Sequence, residues 1–210
     1  MDTPKHDSWL VRKIFEARKW LVAGIQELKT YVTQGKYNIS KVYTSIQPQF
    51  PKVLWKALFI TQGILPRHQF ALWMAIHQRL ATVDRLTKWG ILVPKSCVLC
   101  TTDEEETHDH LFFECPYSKF IWQNLLSLFV TDRQIGRWQE EVEWLSTKIR
   151  SRNIQWKILG SAFAAAVYHI WTERNLRRFQ NTRKENRDRV REIVLNCTLW
   201  EKDTVNGGQY

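Results

Sequence analysis

The stretch CVLCTTDEEETHDHLFFECP, residues 97–116, gathers three of the chain's four cysteines and two of its six histidines. No other feature limits the fold as strongly, because thiols set this close either share a metal ion or are buried separately on both sides of a charged loop. Cys97 and Cys100 form a C-x2-C pair, the spacing that lets two thiolates from one tight turn take adjacent corners of a tetrahedron. Cys115 is the remaining nearby thiol. It directly precedes Pro116, so the chain is expected to be extended there, with a helix opening on the proline. Backbone N–H groups at such an entrance favour thiolate charge. The fourth ligand is His108 or His110. His110 opens HLFFEC, in which Leu111, Phe112 and Phe113 anchor the segment in a core while the imidazole and Cys115 face the ion. His108, beside the acidic run DEEE, is expected to be solvated. The predicted set is Cys97, Cys100, His110 and Cys115, a C-x2-C-x9-H-x4-C arrangement for one Zn2+.

Four protein ligands close the coordination shell and leave no position for an activated water, so the predicted role is structural. A deaminase would need an H-x-E partner to its P-C-x-x-C pair, which the sequence lacks. The carboxylates Asp103, Glu104, Glu105, Glu106 and Asp109 crowd one loop and read as surface charge rather than as a nuclease centre. Clustered thiols of this kind point to a reducing compartment. The polar start MDTPKHDSW has no signal-peptide core, and no apolar run reaches the roughly 18 residues of a membrane span. An intracellular location, nuclear or cytoplasmic, with no membrane partner is expected.

Outside this stretch the apolar residues repeat at helical spacings. Helices are predicted over 8–32, from a Ser40 cap through Ile46, over KVLWKALFI, from Pro66 to about residue 81, and over VDRLTKWGI to Gly90. Further helices are predicted at about 116–130, 137–150, 153–180 and 186–200. With 44% hydrophobic residues there is enough apolar surface for a proper core. The expected fold is all-α, with a small zinc-knuckle-like insert. Residues 1–50, 51–130 and 131–210 read as an N-terminal helical region, the metal-binding region and a C-terminal helical region, packed as one unit. Most of the tryptophans at helical spacing (Trp9, Trp20, Trp55, Trp73, Trp122, Trp144, Trp156 and Trp171) are expected in the core. His77 reads the same way. Trp89, beside Lys88 and Gly90, is expected to be exposed.

The segment SCVLCTTDEEETHDHLFFECPYSKFIW resembles the zinc-binding domain that follows the polymerase in plant LINE-type, non-LTR reverse transcriptases. Glu106, Thr107, His110, Leu111, Phe112, Phe113, Cys115 and Trp122 match that pattern in order. YNISKVYTSI, HQFALWMAIHQRLATVDRLTKWGI and HIWTERNLRRF resemble its flanking segments, so the likeness covers roughly residues 8–181. Ala81 stands where the family usually has proline, which makes that bend less rigid. The resemblance implies a retroelement-derived protein that retains nucleic-acid binding. No Tyr-x-Asp-Asp dyad occurs, and 210 residues leave no room for a polymerase beside this domain. No enzymatic activity is expected.

The net charge of +10 and a pI near 9.6 suit a polyanionic partner. From Arg174 to Arg191 the positions Arg174, Arg177, Arg178, Arg183, Lys184, Arg187 and Arg191 recur at spacings near three and four. They are predicted to form a basic stripe of phosphate-binding forks, partly neutralised by Glu185, Asp188 and Glu192. Arg67, His68, Arg79, Arg85, Lys88 and Lys95 would form a second patch if their helices face one way. Trp89 is placed to stack on an unpaired base. RNA or DNA is the expected partner; the alternative is a protein-binding module scaffolded by zinc.

Overall fold

The computed structural model describes residues 31–33, 36–48, 53–61, 63–129 and 133–206, together with Trp9, Lys13 and Glu16. The predicted helix over 8–32 lies almost wholly outside the described residues, as does Trp20. Among those described the architecture is all-α. The strands present are two residues each: β1 (Val32–Thr33) pairs antiparallel with β2 (Lys36–Tyr37), with Val32 opposite Tyr37.

The chain divides into two compact units, Met1–Lys52 and Val53–Tyr210. In the first, the hairpin leads into α1 (Ile39–Ile46). Asn38, not Ser40, caps this helix: its side chain accepts from the Lys41 backbone N–H at 3.0 Å, which satisfies one of the orphan donors of the first turn. Ser40 is already inside that turn, where its carbonyl accepts from the Thr44 hydroxyl.

The second unit runs through α2 (Lys56–Ile60), α3 (Pro66–Ile76), α4 (Val83–Lys88), a π-helical turn (His110–Glu114), α5 (Pro116–Ser127), α6 (Trp138–Lys148), α7 (Ile154–Gln180) and α8 (Asn186–Asn206). Helix α7 is the axis. Its stretch from Leu159 to Val167 is buried all round, as expected of a helix enclosed by neighbours rather than lying on a surface. Small residues make this possible. A Cβ added to Gly160 would stand 2.5 Å from Ile149 Cδ1, so the chain just after α6 approaches α7 more closely than an alanine permits. Helices α3, α5, α6 and α8 and the π-helical turn all pack on α7.

Phe112, Phe113, Trp122, Trp138 and Phe163 form the aromatic centre, with neighbouring ring centroids 5.0–6.0 Å apart. Trp122 is fully buried, and its indole N–H donates to Glu141 at 2.8 Å. Glu141 is itself buried, held by Arg133 at 2.6 Å and by the Gly136 N–H at 2.8 Å, so the polar tip of the tryptophan is satisfied. Trp55, Trp144, Trp156 and Trp171 are partly buried against this core. Trp73 and Trp9 are exposed instead, and His77, expected inside, caps the C-terminus of α3 at the surface.

Candidate metal centre

The knuckle begins as a short antiparallel bridge between Ser96 and Glu105. The Cys97 N–H donates to Glu104 O and the Glu106 N–H to Lys95 O, both at 2.8 Å. This pairing turns residues 97–104 into a closed loop and aims the C-x2-C pair inward. Asp103 adopts φ +52°, a left-handed conformation that aspartate tolerates better than most residues. On the other side, the π-helical turn sets the ligand phase. His110 and Cys115 are five residues apart, which an ordinary helix of 3.6 residues per turn would place on different faces. Here the Cys115 N–H donates to His110 O at 2.6 Å, a five-residue closure that brings the two side chains to one side. Cys115 is extended (φ −62°, ψ 130°) and Pro116 opens α5.

The ligand atoms of Cys97, Cys100, His110 and Cys115 all lie within 4.8 Å of one another. Cys97 Sγ is 4.0 Å from Cys115 Sγ, and Cys100 Sγ is 3.4 Å from His110 Nε2. Tetrahedral zinc, with bonds of about 2.3 Å to sulfur and 2.0–2.1 Å to nitrogen, sets sulfur–sulfur edges at about 3.8 Å and sulfur–nitrogen edges at about 3.5 Å. The donor set fits zinc in type and spacing, and these residues form a single zinc site among those described. When bound, the ion cross-links the loop, the π-helical turn and the entrance of α5.

The charge state of the thiols agrees. A hydrogen bond from Cys115 is the main cause that brings the Cys97 thiol down to about 5; burial opposes it, and the Leu99 and Cys100 backbone N–H groups assist. Cys115 is pushed up by the same bond, then by burial and the Cys97 charge, against a helping bond from the Tyr117 N–H. One proton thus serves two buried sulfurs, where a divalent cation would let both ionise.

Two sequence expectations need correction here. His108 is not solvated. It is 6% exposed, with Nε2 3.0 Å from Ala75 O, Nδ1 3.2 Å from Asp109 Oδ1 and its ring against Phe112 and Trp138. Nor is the acidic loop merely surface charge. Glu104 lies 2.9 Å from His110 Nδ1, which turns Nε2 toward the sulfurs in the way outer carboxylates orient metal-binding histidines.

Glu106, unlike the exposed Glu104, is internal, with a side chain 0% exposed, and it rearranges the expected basic stripe. The Arg174 guanidinium donates to it at 2.6–3.1 Å and to Ala81 O at 3.2 Å, while lying over Trp171. Arg178 donates to Glu106 and to the carbonyls of Pro94 and Ser96, each at 3.1 Å. Arg177 donates to the carbonyls of Val98 and Leu99, between the first two cysteines, and to Glu173. Glu173 in turn holds Arg189 of α8 at 2.7 Å. Arg174, Arg177 and Arg178 therefore form an inward clamp beneath the knuckle. The available signal was helical phase: all three lie on the face continued from Ile170, which is fully buried.

The remaining stripe residues are separated from these. Asn181, at φ +49°, ends α7, so Arg183 and Lys184 sit in a connecting loop. Lys184 pairs with Glu192 and Arg191 with Asp188. Arg183 and Arg187 are exposed. In the upstream patch His68 is buried at 2% and is not available as a surface group. Arg85, Lys88 and Trp89 do come together at one groove, with the Arg85 guanidinium 4.7 Å from the Trp89 ring.

Among the described residues no helix is long and apolar enough to cross a membrane. Comparison with curated proteins and with solved structures finds no match for the chain. Residues 37–122, which contain every candidate zinc ligand, match the family model described as zinc-binding in reverse transcriptase.

Proposed function

We propose that the chain is a retroelement-derived module of the plant LINE-type, non-LTR kind, which binds RNA or DNA mainly through phosphates. In this reading zinc holds the fold, the protein has no polymerase or other enzymatic activity, and it works inside the cell, in the nucleus or cytoplasm. The observation that carries it is the set of cations left outside the clamp. Lys88, Arg183 and Arg187 are exposed and make no ion pair among the described residues, and Trp89, 56% exposed, adjoins Lys88. Unpaired surface cations are the groups that release counterions from a polyanion.

Filter binding across a salt series tests this. Affinity should fall linearly on logarithmic axes with a slope of roughly −0.7 to −0.9 per phosphate contacted. Replacing Lys88, Arg183 and Arg187 together by Ala should flatten that slope by about two to three phosphate equivalents with zinc content unchanged. Retention that ignores both salt and these substitutions would refute the proposal. A second reading, a protein-binding module, is favoured by an apolar cleft of about 170 Å3 lined by Leu125, Leu128, Phe129, Ile158, Val194 and Cys197. It calls for binding that depends less on salt.

A further inference from the structure

Residues 53–83 and 144–172 contain no aspartate or glutamate, whereas at the chain's average of 21 acidic residues in 210 the two stretches would hold about six between them. They do contain Lys56, Arg67 and Arg79 in the first and Lys148, Arg150, Arg152 and Lys157 in the second. The fold lays these stretches side by side. Helix α2 packs on α6 and α3 on α7, the Gln69 amide donates to the Phe59 carbonyl of α2 at 3.0 Å, and Thr61 and Ile149 both close on the Cβ position of Gly160. Lys157 and Tyr168 are three turns apart, so they share one face of α7 about 16 Å apart along its axis, and the Arg67 guanidinium lies 5.6 Å over the Tyr168 ring. Apart from half-buried Lys157 these cations are exposed, and none makes a side-chain hydrogen bond or ion pair among the described residues. Two carboxylates at the edges are engaged elsewhere: Glu143 accepts from Gln139 at 2.6 Å, and Glu192 holds Lys184 and Arg189.

We infer that this carboxylate-free face binds the backbone of a single-stranded nucleic acid, with Phe70 stacking on one unpaired base. The inference rests on the nucleic-acid reading above and gives it a surface apart in sequence from Lys88, Arg183 and Arg187. Like charges gathered on one face repel one another, and protein surfaces ordinarily intersperse the two signs; a row of phosphates relieves the repulsion and releases counterions. The path runs from the turn between α6 and α7, which carries Arg150 and Arg152 beside Lys148, along α7 past Lys157 to Arg67. One turn of α3 beyond Arg67, on the same face, Phe70 is 64% exposed. Its neighbour Trp73, 6.4 Å away, is already covered by His77 at 4.8 Å and by Arg79 at 5.8 Å, so Phe70 is the ring of this helix that a base can reach. An unpaired base offers its face to such a ring, and stacking of this kind tolerates any base. A duplex would meet the same cations but keeps its base faces inside its own stack.

The test uses the zinc-loaded full chain and fluorescence anisotropy of a labelled strand of about 16 nucleotides, the upper end of single-strand site sizes, beside its duplex with the complementary strand. Sedimentation with vesicles of phosphatidylserine and phosphatidylcholine is run in parallel. The single strand should bind tighter than the duplex. Replacing Lys148, Arg150 and Arg152 together by Ala should flatten the single-strand salt slope by about two, at roughly 0.7 for each phosphate released. Phe70→Ala should weaken the single strand about fivefold to a hundredfold, the scale of one base stacked on a ring, and leave the duplex unchanged, while Phe70→Trp should retain the affinity. Zinc content and helical circular dichroism confirm that each variant folds. Salt-dependent binding that ignores the triple variant but is lost when Lys88, Arg183 and Arg187 are replaced would overturn this face and leave the nucleic-acid reading intact. Equal affinity for strand and duplex, or no response to Phe70→Ala, would overturn the single-strand assignment. Binding to the vesicles but to no strand would overturn both readings, as would no binding to any strand at low salt.

Discussion

Consider the replacement of Arg174 by Met. The native guanidinium is 1% exposed and Glu106 is 0% exposed, and their closest contact is 2.6 Å. Methionine keeps much of the side-chain length against Trp171 but leaves the Glu106 carboxylate with only Arg178, at 3.1 Å, and the Val83 N–H, at 3.2 Å. Removing one member of a buried ion pair costs about 3–5 kcal/mol, chiefly through the stranded charge. Because Arg178 remains, the lower end applies, about 3 kcal/mol, equivalent to a melting temperature lower by about 6–12 °C for a domain of this size. Urea unfolding of the zinc-loaded protein, followed by far-UV circular dichroism, measures it. The pairing argument also fixes the double variant: adding Glu106→Gln to Arg174→Met removes the stranded charge and should recover at least half of the loss. A cost for Arg174→Met below about 0.5 kcal/mol, the range of ordinary surface substitutions, would refute the clamp. So would a double variant whose cost is the sum of the singles, since residues in contact should couple.

Other outcomes follow from separate parts of the structure. Glu104→Gln should weaken zinc binding by about 10–100-fold, as removal of an outer carboxylate does elsewhere, measured by chelator competition, while the apo chain keeps its stability. His68 and His169 are both brought down to about 4. For each the first cause is burial; the next are each other's positive charge at His68 and the Arg189 guanidinium at His169, with Glu192 opposing there. Both rings are therefore neutral when folded, and the stability this gives is complete above the ordinary histidine value of 6.5 and lost as pH falls from there toward 4. The expected slope is up to about 1.4 kcal/mol per pH unit for each ring, and it should flatten in the His68→Gln, His169→Gln double variant. Gly160→Ala should cost about 1–3 kcal/mol through overpacking against Ile149, whereas Gly136→Ala places its Cβ against the flexible end of Glu140 and should cost less.

The helices were legible because their periodicity is strong: α6, α7 and α8 start within a residue of the expected positions. The four residues that converge on the zinc site could be chosen from spacing and from the core-forming Leu111, Phe112 and Phe113. What spacing could not convey was the direction of charge. Arg174, Arg177 and Arg178 look like a solvated stripe because arginine is usually exposed, and their partners lie far along the chain, at Glu106 and in the backbone of residues 94–99. Glu104 and Glu106 were hidden by their neighbours: in DEEE four acidic residues stand in a row, and the fold buries Glu106 alone among them while Glu104 stays exposed and reaches His110. Asn38 displaced Ser40 as a cap for a local reason, since both residue types cap well and the hairpin before α1 fixes where the helix begins.

The sequence separation within the clamp also bears on how the chain matures on the ribosome. Arg174 follows Glu106 by 68 residues, so at about 5–20 residues per second the carboxylate is made roughly 3–14 s before its counter-charge. Once Cys115 has also been made, all four ligands precede the arginine in the chain, and the loop they close still lacks its arginine support. Metal bound during translation would therefore hold the loop closed before its arginine support exists, the order in which the chain itself supplies the two.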